Sequence, residues 1–379
     1  MSISVRLVNQ DENYRLARVT ELKIGGKHIE APKRALAGLR SGRYRETSLR
    51  NSALHGFVEV FRRLKPDKIR VATSRRAVEA ELGYQVSSAL RGVKDEEIVL
   101  GIIEYRAEGL PEREEVEFLA DLLNHRRFDL VVPPIIPKLP PNEYMSFLDS
   151  FVDACETTTL HPSLVPYIPH YSRIVIRSVL DYYMNKDVFE KNFICVDFNG
   201  SNPISQYTFV SMIIREARRM ERELDEPVFL HALNLKYGKA TKKQTVVPAK
   251  DLLVFSLGFD CFGPNHKQVF IPEGLGRDYE PKTKLLNRKD YGYYSLSIFP
   301  QDVDEEGYEV KLRDVQKDGK LARLFNAERQ GLETGVIRQI IKEDGYMQYL
   351  NSKDVIKQNE KILKVIRKVQ NDVTQRTLA

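Results

Sequence analysis

Residues able to do chemistry gather in the second half of this chain, each just after an apolar run. Asp197, Asn199 and Gly200 follow NFICV; His231 and Asn234 flank the end of PVFLHAL; Asp260 and His266 follow SLGF. A carboxylate in such a place can act as a general base, as a nucleophile or as an acceptor for a purine edge. The segment LNLKYGKATKKQ puts Lys236, Lys239, Lys242 and Lys243 in one loop, a composition suited to phosphate contacts. Each residue also has a plain structural role open to it. Asp197 can organise an Asx turn, His231 can be a core histidine, Asp260 can be a buried hydrogen-bond hub, and the lysines can form a solvated loop.

These residues need strands and helices to position them, and the pattern predicts an alternating α/β chain. RLARVTELKI, Gly25-Gly26 and KHIEAP predict an opening β-hairpin. Residues 41–52 read as a loop, ALHGFVEVFRRL (53–64) as a helix and DKIRVAT (67–73) as a strand. Strands are expected at 96–106, 128–136, 163–169, 192–198 and 227–233, with amphipathic helices between them. A helical stretch at 248–258 and a strand end at FDCFG follow. Residues 301–320 read as a loop, and 321–345 and 353–371 as closing helices. Seven or eight strand–helix units imply a parallel sheet closed as a (β/α)8 TIM-type barrel, whose working residues lie at the C-terminal strand ends. No Gly-rich first turn speaks for an open dinucleotide-binding sheet. The expected organisation is a barrel domain over 1–345 and a helical extension over 346–379.

Composition excludes some classes. Hydrophobic residues make up 42% and charged residues 30% of the 379, ordinary for a chain with a sizeable core. No apolar stretch is long enough to span a bilayer, and the N-terminus lacks a signal-peptide core, so a cytoplasmic location and no membrane partner are expected. Cys155, Cys195 and Cys261 are odd in number and far apart, which speaks against disulfides and, without a CxxC, against a zinc site. A net charge of +6 permits a polyanionic partner without requiring one. There is no GxSxG, Walker A or HExxH sequence.

Residues 227–291 and their surroundings resemble the archaeal-type tRNA-guanine transglycosylases. PVFLHALNLKYGK followed by FSLGFDCFGPNH resembles that family's strand, glycine loop and ALGCDLFDSA pattern. IPEGLG (271–276) resembles its Pro-Glu-Gly element, KLLNRKDYGYYSLSIFP (284–300) its RLDELEYFPCSCPVC stretch, RLFNAER (323–329) its LALHNLY helix, and QIIKEDG (339–345) its QAIREG. ARVTELKIGGKHIEAPKRAL resembles its opening strands. The matched parts cover about half of the chain, and residues 65–190 match poorly.

The resemblance implies a pentosyltransferase that replaces guanine in nucleic acid by a 7-deazaguanine through a covalent aspartyl intermediate. It also implies departures. The family's nucleophile is the second aspartate of DLFDSA, where this chain has Gly263 after Asp260. Its three zinc cysteines fall in YYSLS and its histidine at Phe325, so no metal and no cofactor is expected, and Tyr291, Tyr293, Tyr294 and Phe325 are expected to pack as an aromatic cluster instead. Asp260 and Asp197 are then the candidate catalytic carboxylates. Asn199, Gly200, His231, Asn234 and Gly238 are candidates for base binding, and Lys236, Lys239, Lys242 and Lys243 for nucleic-acid binding. DNA is as suitable a substrate as tRNA, because no family-type RNA-binding domain is evident. The alternative is a catalytically inactive relative that binds nucleic acid or pairs with an active paralogue, as a homodimer or heteromer. An unrelated barrel enzyme acting on a phosphorylated metabolite is a third possibility.

Overall fold

The structure is a computed structural model. It describes residues 3–374 apart from 39, 42–43, 75, 138, 159–160, 239–244, 268–282, 302 and 304. The chain opens with three antiparallel strands, β1 (Ile3–Gln10), β2 (Arg18–Ile24) and β3 (Lys27–Ala31). The β2–β3 hairpin turns at Gly25-Gly26, both with positive φ, as the glycine pair requires. Two short strands follow, β4 (Lys33–Arg34) and β5 (Leu36–Ala37), then a small ribbon of β6 (Arg40–Ser41) and β7 (Tyr44–Arg45).

Strands and helices then alternate. They are β8 (Phe57–Leu64), α1 (Pro66–Ser74), α2 (Arg76–Ala89), β9 (Ile98–Tyr105), α3 (Arg113–Leu123), β10 (Leu130–Val131), α4 (Pro141–Thr158), β11 (Ser163–Leu164) and β12 (Tyr167–Ile168). Next come α5 (Arg173–Met184), β13 (Phe193–Asp197), α6 (Tyr207–Leu224), β14 (Phe229–Leu233), β15 (Val246–Pro248), β16 (Cys261–Phe262), β17 (Leu285–Asn287) and β18 (Gly292–Tyr294). The closing helices are α7 (Leu312–Lys317), α8 (Ala322–Lys342), α9 (Tyr346–Asn351), α10 (Asp354–Lys357) and α11 (Glu360–Thr374). Among the described residues no helix is long and apolar enough to cross a membrane.

The result is a mixed α/β fold with two five-stranded parallel sheets, ordered β11-β10-β9-β8-β5 and β12-β13-β14-β16-β4. The sheets share two chain segments. Residues 33–37 put β4 in one sheet and β5 in the other, and residues 163–168 do the same with β11 and β12. Backbone bonds continue through both breaks: Ala35 N–H donates to Phe262 O (2.8 Å), Gly38 N–H to Glu59 O (2.8 Å), Val165 N–H to Val131 O (2.9 Å) and Cys195 N–H to Pro166 O (2.9 Å).

Two expected elements are exchanged. Residues 57–64 form a strand and 66–74 a helix, the reverse of the expected order. FVEVFRRL places Phe57, Glu59 and Phe61 on one face, Gly56 (φ 123°) breaks the chain before it, and Pro66 with Asp67 starts the next helix. Five apolar side chains in this strand lie buried with both faces covered, and in a short apolar run burial on two faces resembles helical spacing. The 248–258 stretch is a 3₁₀ turn over Leu252–Leu257, and the 301–320 segment holds the short helix α7.

Between the sheets the side chains meet in tiers. Phe57, Phe193 and Phe229 form one, with ring centroids 6.2 and 5.2 Å apart. His231 lies against Phe57 at 5.2 Å and begins the next tier toward the C-terminal strand ends. The three cysteines are buried and free. α11 packs on α6, so the last helices lie against the α/β body.

Candidate functional site

Glu59 stands at the centre of the second tier, fully buried, on the same face of β8 as Phe57 and Phe61. Its Oε1 pairs with His231 Nε2 and its Oε2 with His266 Nε2, both at 2.6 Å. Burial pushes this carboxyl up, but the two imidazoles more than offset that and hold it below the ordinary carboxylate range. His266 lies flat on Phe61, with centroids 4.4 Å apart and planes within 1°. The other ring nitrogen of His231, Nδ1, is buried without a hydrogen-bond partner among the described residues.

Gly263 explains how Glu59 fits. A Cβ at position 263 would lie 1.7 Å from Glu59 Oε1 and 2.1 Å from its carboxyl carbon. The position that would carry a nucleophilic aspartate on the resemblance is therefore side-chain-free, and a carboxylate from another strand fills that space.

Asp197 ends β13 and is nearly as enclosed. Its Oδ1 accepts from Asn199 N–H (2.7 Å) and Asn234 Nδ2 (2.9 Å), and its Oδ2 from the Tyr167 hydroxyl (2.8 Å). Lys267 Nζ stands 3.9 Å from Oδ2. Asn199 (φ 49°), Gly200 (φ 74°) and Asn234 (φ 53°) take left-handed backbone that lets the two strand-end loops turn toward each other. Gly200 N–H donates to Asn234 O (2.9 Å), and His266 N–H to Asn234 Oδ1 (3.2 Å). Asp197, Asn199, Gly200 and Asn234 are thus brought together as local hydrogen-bonding partners, and His231 joins them only through Glu59 and His266.

Gly238 (φ 135°) belongs to a different surrounding. A Cβ there would face Asn202, Val247 and Lys250, while neighbouring Tyr237 stacks on Tyr293 with centroids 4.0 Å apart. Lys236 is part-buried and its N–H donates to Ser201 O (2.9 Å). Lys239, Lys242 and Lys243, and the IPEGLG element, lie outside the described residues.

The structure does not bring Asp260 into this group. Asp260 precedes β16, at the N-terminal strand ends, and is completely buried. Arg18 grips it with two bonds (Nε to Oδ1 3.0 Å, Nη2 to Oδ2 2.7 Å), while the Thr20 hydroxyl (2.9 Å) and Leu230 N–H (2.7 Å) take its remaining lone pairs. A bidentate, doubly supported ion pair with no solvent exposure ties the opening hairpin to the sheet and leaves no oxygen for attack on a substrate.

A third carboxylate was missed by sequence reasoning together with Glu59. Glu104, near the end of β9, accepts from Arg63 Nε (2.6 Å) and Arg106 Nε (3.0 Å) on Oε1, and from Lys267 Nζ (3.2 Å) on Oε2. Burial pushes it up, but these cations outweigh burial and bring its pKa down to about 2. A pocket of about 740 Å³ opens beside it. Period-two alternation in FVEVF was the available signal for Glu59. Nothing local marks Glu104, whose partners come from three separate segments.

In the segment resembling the family's zinc lobe, Phe325 packs edge-on to Phe299 (5.6 Å), which in turn meets Tyr294 (6.0 Å). Tyr291 and Tyr293 differ from the expected cluster by donating to buried acids, to Glu333 (2.7 Å) and Asp251 (2.6 Å). Among the described residues no three His, Cys, Asp or Glu side chains converge as a metal-binding set. No protein-family model matches this chain, and no curated protein matches it.

Proposed function

We propose that this chain is a transglycosylase-like (β/α)8 barrel that binds nucleic acid at its mouth without exchanging bases. Closure into one eight-stranded barrel is supported by the two shared segments, 33–37 and 163–168, and by the hydrogen bonds that continue through them. Side chains of both sheets also meet inside, at Glu59 and His231.

Loss of exchange rests on the Gly263–Glu59 relationship. An attacking carboxylate needs a lone pair facing the incoming sugar. Gly263 offers none, the buried Glu59 has each oxygen engaged by a histidine, and Asp197 and Glu104 are each held in place by three neighbouring donors. The cations Arg63, Arg106 and Lys267 at the strand ends suit a phosphate backbone.

One observation favours the alternative of retained exchange on DNA or tRNA: the Glu59 carboxylate lies where a residue-263 side chain would begin, so β8 would supply the missing nucleophile. Incubation with labelled guanine and either tRNA or DNA separates the two, beside an active tRNA enzyme as control. We expect no incorporation but salt-dependent binding. Incorporation overturns the non-exchanging function, and no binding at low salt overturns the nucleic-acid function.

A further inference from the structure

Three cations from three elements converge on Glu104: Arg63 from β8, Arg106 from the loop after β9, and Lys267 from the segment after β16. A carboxylate offers about four lone-pair sites, whereas two guanidiniums and an ammonium carry about a dozen N–H donors. Glu104 takes three of these, and the His266 carbonyl takes one more, from Arg63 Nη2 at 3.1 Å. Among the described residues the Arg106 guanidinium makes no hydrogen bond beyond the one to Glu104. The surplus of donors faces the adjoining pocket, because both Arg106 and Lys267 line it.

The rest of that pocket is chemically divided. Ile136, Pro137 and Pro140 give it an apolar wall, while Glu108 and Glu143 stand among the other lining residues. An anion is therefore welcome on the Arg106–Lys267 side and disfavoured near the two glutamates. A flat, weakly polar group suits the apolar wall. The volume, about 740 Å³, admits a nucleotide unit but not a duplex.

We propose that Glu104 is an internal stand-in for a phosphate: Arg106 and Lys267, which it neutralises, receive a phosphodiester of a single-stranded nucleic-acid segment at this pocket. This rests on the nucleic-acid-binding function above and names the groups that carry it. Binding exchanges one anionic partner for another, so removing the charge of Glu104 must strengthen it. A Glu104 away from the bound phosphate would give only the smaller, general gain of one added positive charge.

The test is fluorescence anisotropy with the full chain and a labelled oligothymidylate of about twenty nucleotides, from about 50 to about 300 mM salt. Glu104→Gln is expected to bind about five- to tenfold more tightly at the lowest salt. Arg106→Gln and Lys267→Gln should each weaken binding and lower the salt slope by about one. A duplex of equal length should bind less well. If the unaltered chain binds but neither cation variant changes the slope, or if the duplex binds better, the pocket assignment is overturned while nucleic-acid binding stands. If no form of the chain binds either probe at the lowest salt, the underlying function falls as well. Should Glu104→Gln fail to melt cooperatively, the two cation variants decide the matter, because their side chains are partly exposed.

Discussion

The carboxyl carbon of Glu59 lies 2.1 Å from the point that a Cβ on residue 263 would occupy. Glu59 lies in β8 and Gly263 directly after β16 of the other sheet, yet only one of the two positions can carry a side chain.

This exclusion predicts strong coupling. Gly263→Ala or Gly263→Asp alone should destabilise the fold by about 1–3 kcal/mol or more, the usual cost of overpacking a closed interior. Combining Gly263→Asp with Glu59→Ala should recover much of that loss, giving a non-additive double-mutant cycle in urea unfolding. Simple additivity would show that Glu59 swings away freely.

Asp260 should behave as a structural anchor. Asp260→Ala leaves the buried Arg18 guanidinium without its bidentate partner, an effect of about 3–5 kcal/mol. Thermal melting should therefore fall markedly, whereas oligonucleotide affinity of the folded protein should stay unchanged. Loss of affinity at full folding would place Asp260 at the binding surface.

Glu104 gives stability a defined acid limb. Its folded pKa of about 2 lies below the unfolded value, so its contribution is complete above about pH 4.5 and is lost as pH falls toward about 2. The size should be on the order of 2–3 kcal/mol. Glu104→Gln should flatten the stability profile in that window, measured by denaturant midpoints. An unchanged profile would contradict the triple cation pairing.

Lys33 acts in the opposite range. It is buried, donates to Ala53 O (2.8 Å), and burial, with the nearby Arg338 charge adding to it, brings its pKa down to about 8. The ammonium still predominates at neutral pH, but it is less favourable in the folded chain than in the unfolded one. Lys33→Met should stabilise the protein at pH about 7, and the advantage should shrink as pH rises from about 8 to about 10.5. A pH-independent difference would mean that the amine reaches water.

Much of the alternating architecture was legible from residue patterns. The hairpin at Gly25-Gly26, the strands Phe193–Asp197 and Phe229–Leu233, and the amphipathic α6 all announce themselves through local turn chemistry and periodicity. Asp197 and Asn234 could be picked out for the same reason, because each sits where a strand runs into a loop.

The sequence by itself determined which segments become strands and helices wherever period and breakers agree. It also determined that position 263 carries no carboxylate. Only the tertiary structure showed that the Glu59 carboxyl fills the space beside it. Whether Asp260 faces a mouth or a foundation depends on Arg18, more than two hundred residues away in the chain. The Glu59 and Glu104 clusters draw their partners from separate strands and loops. Their burial and charge arise from packing between segments that share no local pattern, so no window of residues contains the information.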